Sequence, residues 1–191
     1  LSFLADAYRG FCEEVGMDAE IRDAAEGDVE AILAMQSRLA AAHVGWDAAR
    51  FAVSDATEPA YRAWLEQGRR GLGGGVMVLV VEVGGVVSGY MIAERMAAEP
   101  KYWATACVYV HDLFLEPAAR GTGAAEALIG RARAWAMEEG LALRAMVAAG
   151  NAGGKKFFER AGFGVRAVEM GWTGLPDATP DGLSGRAISS G

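Results

Sequence analysis

The stretch VHDLFLEPAARGTGAA, residues 110–125, holds the residue types and spacing best suited to chemistry. An apolar strand runs into a glycine-punctuated turn and then a helix, a layout that bares backbone amides to an anion. In Arg120-x-x-Gly123-x-Ala125 a cation precedes the helix, glycines stand where a ligand must approach the backbone, and small residues fill the first turn. That describes a phosphate-binding helix start, although such turns also occur in α/β proteins that bind nothing there. Two rival phosphate signatures are missing: the Gly-Lys-Ser/Thr of a nucleoside triphosphate loop, and the acidic residue after a second βαβ unit that marks dinucleotide binding. The Gly71 and Gly73 cluster precedes a strand instead of following one and reads as a loop.

The elements that must position this turn can be read from periodicity. Residues 1–17 could form a short helix, 20–24 a short strand, and 28–43 a helix with Ile32, Leu33, Gln36, Leu39 and Ala40 at helical spacing. Thr57-Glu58-Pro59 opens a helix that Gly68 closes, with Tyr61, Trp64 and Leu65 on one face. The β-branched runs 76–83 and 86–95 flank Gly84-Gly85, which predicts an antiparallel hairpin with positive φ in the turn. A third strand over 106–115 ends at Glu116-Pro117, and a helix over 122–139 ends at Gly140. The strand over 141–147 follows a helical crossover and should run parallel to its predecessor. A helix over 151–161, closed by Gly162, and a last strand over 163–172 complete the order. The tail from 174 onward, rich in Gly, Pro, Ser and Asp, reads as extended or flexible.

Composition bounds the function. At 191 residues, 52% hydrophobic and 23% charged, the chain suits one α/β domain, here residues 20–173, between an N-terminal extension over 1–19 and the tail over 174–191. A formal charge of −7 argues against nucleic-acid binding, and no apolar run approaches the roughly 20 residues of a membrane span. Asp6, Glu13 and Glu14 without a basic start argue against a signal peptide, and Cys12 and Cys107 indicate neither a disulfide framework nor a zinc site. The expectation is a cytoplasmic protein without a metal.

At this point the residues resemble the GNAT superfamily of N-acetyltransferases, which use acetyl-coenzyme A. The Arg120-x-x-Gly123-x-Ala125 turn and the later Asn151-x-x-Gly154-x-x-Phe157-Phe158-x-x-x-Gly162-Phe163 match its two cofactor motifs in order and spacing. The element order matches over roughly 20–172. The resemblance implies a GNAT-like mixed, mostly antiparallel sheet with one central parallel pair and helices on both faces. It implies that amides of Gly121, Thr122, Gly123, Ala124 and Ala125 hold a pyrophosphate with support from Arg120. The pantetheine arm would lie between the splayed parallel strands, bonded to the backbone of Leu113, Phe114 and Leu115 and faced by Asn151. Phe158 is counted with the cofactor contacts, and a homodimer is plausible for the family. Phe157 and Phe163 read better as core, and Lys155, Lys156 and Arg160 as helix-surface charges.

The catalytic problem is to present a neutral amine to a thioester carbonyl. An alkyl amine of pKa about 10.4 is more than three units from neutral at pH 7, a cost of about 4–5 kcal/mol, so it needs a proton acceptor. His111 is the leading base, since its ordinary pKa lies near working pH and the family often places an acidic or water-holding residue at that point of the strand. A strand histidine bonded to a backbone carbonyl is the plain alternative. Asp112 is the reserve candidate. Simple alternation sends it to the opposite face from His111 unless a bulge intervenes. Many relatives carry a tyrosine, thought to protonate the leaving thiolate, where this chain has Phe158; Tyr109, a serine or water would then serve, or the thiolate leaves unaided. His43, with Trp46, Arg50 and Phe51, falls in the connection after the first long helix, which lines the acceptor site in the family, though a solvated loop histidine is the commoner reading. Tyr61 and Trp64 read as core. The reading is an N-acetyltransferase acting on a small-molecule or peptide amine. The rival is a non-catalytic acyl-CoA-binding or regulatory module, and a generic phosphate binder is third.

Overall fold

A computed structural model describes residues 19–68 and 75–172. The expected N-terminal helix, most of the glycine-rich loop after Gly68 and the tail from 174 lie outside these residues. Strands β1 (Ala19–Asp23), β2 (Val76–Val83), β3 (Val86–Met96), β4 (Cys107–Leu115) and β5 (Ala142–Ala145) form one sheet in sequential order. The first three neighbour pairs are antiparallel and β4–β5 is parallel. This is the expected mixed, mostly antiparallel sheet with one parallel pair. Among the described residues that pair lies at the edge and not the centre, because no strand follows β5. The β2–β3 turn is Gly84-Gly85 with φ of 58° and 79°, as a two-residue hairpin requires.

Helices α1 (Val29–Trp46) and α2 (Thr57–Gly68) cover one face, and α3 (Ala124–Glu138) and α4 (Ala152–Arg160) accompany the other. Strand β2 is apolar from Val76 to Val81, the part that is buried on both sides. Met77, Leu79 and Val81 meet Leu128, Ile129, Ala132 and Trp135 of α3, while Val76, Val78 and Val80 meet Ile32, Leu33 and Met35 of α1 and Leu65 of α2. Full burial of each such Leu, Ile or Val side chain is worth about 1.5–3 kcal/mol, enough to fix the strand's register against both layers. Phe157, Phe158 and Phe163 pack on the α3-side core, and Tyr61 and Trp64 on the α1–α2 core.

Two further expectations need correction. Residues 163–172 form no strand: Val165, Val168, Met170 and Trp172 are 70%, 73%, 87% and 83% exposed. Their apolar alternation changes phase between Ala167 and Val168, so no single face could be buried, and a strand needs a ladder partner as well as β-branched residues. His43 is not in a connection. Helix α1 continues through Trp46 and stops only at Asp47, where φ reaches −160° and ψ 88°, so His43 lies in its last turn.

Candidate active site

Strand β4 changes character at Val110. Residues 107–110 pair with β3 on one side and with Ala142–Ala145 of β5 on the other, and there the β5 pairing stops. Beyond it β4 continues to Leu115 paired with β3 alone, so its outer edge at Leu113, Phe114 and Leu115 faces the gap between the parallel strands. The same point carries a β-bulge. Ala93 faces Val110 but Ile92 faces Asp112, so His111 is the extra residue.

The bulge puts His111 and Asp112 on the same face. Both point toward α1 and α2, against simple alternation. His111 meets the Trp64 ring of α2 edge-on at 4.7 Å and lies 4.8 Å from the Tyr109 ring. Asp112 is 7% exposed; its Oδ2 accepts from the Tyr90 hydroxyl at 3.0 Å, and the Tyr61 hydroxyl makes a longer contact of 3.4 Å to Oδ1. The buried Gln36 of α1 lies beside Tyr61 and favours its ionised form slightly. Strands β3 and β4 and helices α1 and α2 thus contribute to one aromatic and acidic cluster.

Its electrostatics follow from burial. Loss of water pushes the Asp112 carboxyl up, and the two tyrosine hydroxyls only partly offset this. The same loss of water, reinforced by the nearby Asp112 charge, raises Tyr61 and Tyr90 well above an ordinary phenol, so both stay protonated as donors. Tyr109 is raised chiefly by burial. Burial lowers His111 below its ordinary 6.5, against the opposing pull of Glu94 and Asp112. At neutral pH the ring is therefore uncharged and able to accept a proton. Its Nε2 lies 3.1 Å from Glu94 Oε2, but off the line an N–H would take, and that atom is buried without a hydrogen-bond partner.

The phosphate-like turn lies just past the free end of β4. Gly121 and Gly123 have φ of 76° and 82°, a left-handed backbone that costs other residues about 1 kcal/mol or more. Gly123 is the N-cap of α3, and no side chain caps this helix. The Thr122 hydroxyl donates to Ala119 O at 2.8 Å, with a long 3.4 Å approach from the Ala124 amide. First-turn amides have no acceptor within their own helix, and the dipole places roughly half a positive charge there. Ala124 is buried and Ala125 half-buried, while the exposed Arg120 folds back so that Nε donates to Leu115 O at 3.0 Å. A pyrophosphate fits this donor set, and a pantetheine amide chain fits the open edge of β4.

Helix α4 starts differently. Asn151 Oδ1 accepts from the Gly154 amide at 2.8 Å, and a Cβ on Gly154 would stand 2.6 Å from Asn151 Nδ2. The Asn-x-x-Gly spacing thus has a local cause, a side-chain cap folded over a residue with no side chain. The asparagine nitrogen keeps its donors. Phe158 stacks edge-on with Phe157 and Phe163 at 5.2 and 5.1 Å, in the α3-side core. His43 Nδ1 lies 2.9 Å from Leu39 O, with its ring against Trp46 and Phe51.

Sequence reasoning missed Tyr90, Gln36 and Glu94. Tyr90 and Gln36 hide inside apolar patterns, and polar atoms in a buried pattern are the one signal that could have found them. Glu94 has the same face parity as Tyr90 and Ile92, and only the β3–β4 register, which sets His111 on that face beside it, shows the pairing.

Comparison with known proteins agrees with this architecture. The sequence profile of the acetyltransferase (GNAT) family matches residues 40–163, most of the chain, and the chain belongs to that family. No curated protein matches the sequence. Among solved structures, a tetramutant of the BH1408 protein from Bacillus halodurans is similar at a TM-score of 0.66 and 20% identity, over 82% of this chain and 99% of that one. An aminoglycoside N-acetyltransferase in complex with CoA is similar at 0.61 and 17%, over 81% and 93%. A predicted acetyltransferase with acetyl-CoA from Clostridium acetobutylicum is similar at 0.61 and 12%, over 80% and 96%. At these identities the likeness is one of fold. Among the described residues no helix is long and apolar enough to cross a membrane.

Proposed function

We propose that this protein moves an acetyl group from acetyl-CoA to a primary amine by direct attack in a ternary complex. The observation that carries the reading is the bulge at His111. It sets an uncharged imidazole on the α1–α2 face of β4, where the outer edge of the strand loses its partner and leads to the uncapped start of α3. The amides of Gly121 to Ala125 would bind the pyrophosphate, assisted by Arg120. The backbone of Leu113, Phe114 and Leu115 would bond the pantetheine arm opposite Asn151, with Phe158 beneath it as an apolar contact.

Acetyl-CoA supplies an activated acyl carbon; the chain's task is to hold it and take one proton from the amine. His111 takes that proton, directly or through water. Asp112, tied to Tyr90 and Tyr61, stands behind it as a buried charge that favours the imidazolium. Tyr109, a protonated phenol beside His111, is positioned to return a proton to the departing thiolate in place of the hydroxyl that Phe158 lacks. Amine acceptors are also what the similar aminoglycoside N-acetyltransferase is named for.

Incubation with acetyl-CoA and a panel of amines, following thiol release, tests this. Absence of both CoA binding and thiol release overturns it. A second reading, a CoA-binding module without chemistry, is favoured by Phe158 alone. It predicts CoA binding with no turnover and no effect of His111→Ala.

A further inference from the structure

Glu94 belongs to neither cofactor motif, yet it is the carboxylate nearest the His111 ring. Its Oε2 stands 3.1 Å from Nε2, and the two side chains are 30% and 27% exposed. Nε2 itself is buried. An unprotonated Nε2 would set lone-pair density beside a carboxylate oxygen at that distance, a charge repulsion even though the N–H line misses Oε2 and no hydrogen bond forms. Placing the ring proton on Nε2 turns that repulsion into attraction and leaves the lone pair of the neutral ring on Nδ1.

The strand geometry makes this pairing deliberate. In register, Glu94 faces Tyr109, and regular alternation on β3 puts it on the α1–α2 face with Tyr90 and Ile92. The bulge keeps His111 on that face while shifting Asp112 onto it as well. The groups facing the ring are Glu94 from β3, Tyr109 and Asp112 from β4, and Trp64 from α2; Tyr61 of α2 and His43 of α1 act on it through Asp112. Asp112 has both oxygens engaged by tyrosine hydroxyls. Among the described residues Glu94 is thus the carboxylate left to hold the imidazole.

We propose that Glu94 is the positioning residue of His111, selecting the Nε2-protonated tautomer so that Nδ1 is the proton acceptor. This rests on the reading of His111 as the base. In the transfer step the lone pair of the amine nitrogen forms the new bond to the acyl carbon, and the amine proton moves to Nδ1. The acyl C–S bond breaks with its electron pair leaving on the CoA thiolate, which Tyr109 or water protonates. Nε2 keeps its own proton, and Glu94 remains a carboxylate facing the imidazolium.

The test uses the whole chain with nitrogen-15-labelled histidine. The sequence holds only two histidines, so a His43→Asn variant assigns the His111 signals. The wild type should show Nε2–H and an unprotonated Nδ1 at neutral pH. Glu94→Gln should mix the tautomers and move the His111 titration, and the rising limb of kcat, to lower pH. It should lower kcat about tenfold without changing KM for acetyl-CoA, and Glu94→Asp should recover part of that loss. A wild-type ring protonated on Nδ1, or a titration and tautomer unmoved by Glu94→Gln, overturns the proposal; the wild-type measurement decides even where a variant does not fold. Turnover that survives His111→Ala overturns the base assignment instead, while the tautomer measurement still decides the Glu94–His111 pairing.

Discussion

The two halves of β4 are a few residues apart and do opposite work. Residues 107–110 are laddered on both sides, and Val108 and Val110 are 0% and 2% exposed against the α3 layer. Residues 111–115 keep one ladder, carry an extra residue, and place an imidazole and a carboxylate on the opposite layer. The first half spends its backbone hydrogen bonds on the sheet. The second leaves one edge open and is held in place by side chains instead: Asp112 by Tyr90, His111 by Trp64 and Glu94, and the strand's end by Arg120 on the Leu115 carbonyl. A strand becomes a site by giving up part of its ladder where neighbouring elements can replace the lost order.

Substitutions in the two halves should therefore fail differently. The largest effect belongs to His111→Ala, expected to lower kcat by about 10²-fold or more while the unfolding midpoint hardly moves, as steady-state kinetics beside a denaturant titration would show. An equal loss of stability would erase the contrast. The pH profile sharpens it. Burial favours the uncharged ring, so the rising limb of kcat/KM should fall below pH 6.5, with activity lost as acid charges the imidazole. A limb well above 7 would assign the proton to another group.

Next comes Val108→Ala, in the doubly laddered half, expected to cost about 1–3 kcal/mol of stability through a cavity against α3 and to leave kcat per folded molecule unchanged. Smallest is Tyr90→Phe, which removes one of the two donors to Asp112. It should cost about 1–2 kcal/mol, and Asp112 should titrate higher still, as a carboxyl-labelled NMR titration can follow. Stability unchanged by Tyr90→Phe would mean that water, and not the hydroxyl, satisfies that oxygen.

Much of the scaffold was readable in one dimension. The Gly84-Gly85 hairpin and the Gly-x-Gly start of α3 are each fixed by neighbours a few residues apart. The strand expected over 163–172 failed because β-branched residues alone do not supply a ladder partner, and the phase change at Ala167 is weak evidence beside Val165 and Trp172. The end of α1 was placed three residues early because Val44, Gly45 and Trp46 add no regular apolar stripe.

The site itself divides in the same way. Sequence by itself determined the anion-shaped turn, the paired motifs around Gly123 and Asn151, and the presence of an imidazole next to a carboxylate, since these depend on local backbone preference and spacing. Which face His111 and Asp112 share, and that Tyr90, Tyr61 and Glu94 close around them, was decided only by the tertiary structure. The reason is physical. A bulge is one residue of slippage against a partner strand, and its consequence exists only relative to β3 and the helix packed above it.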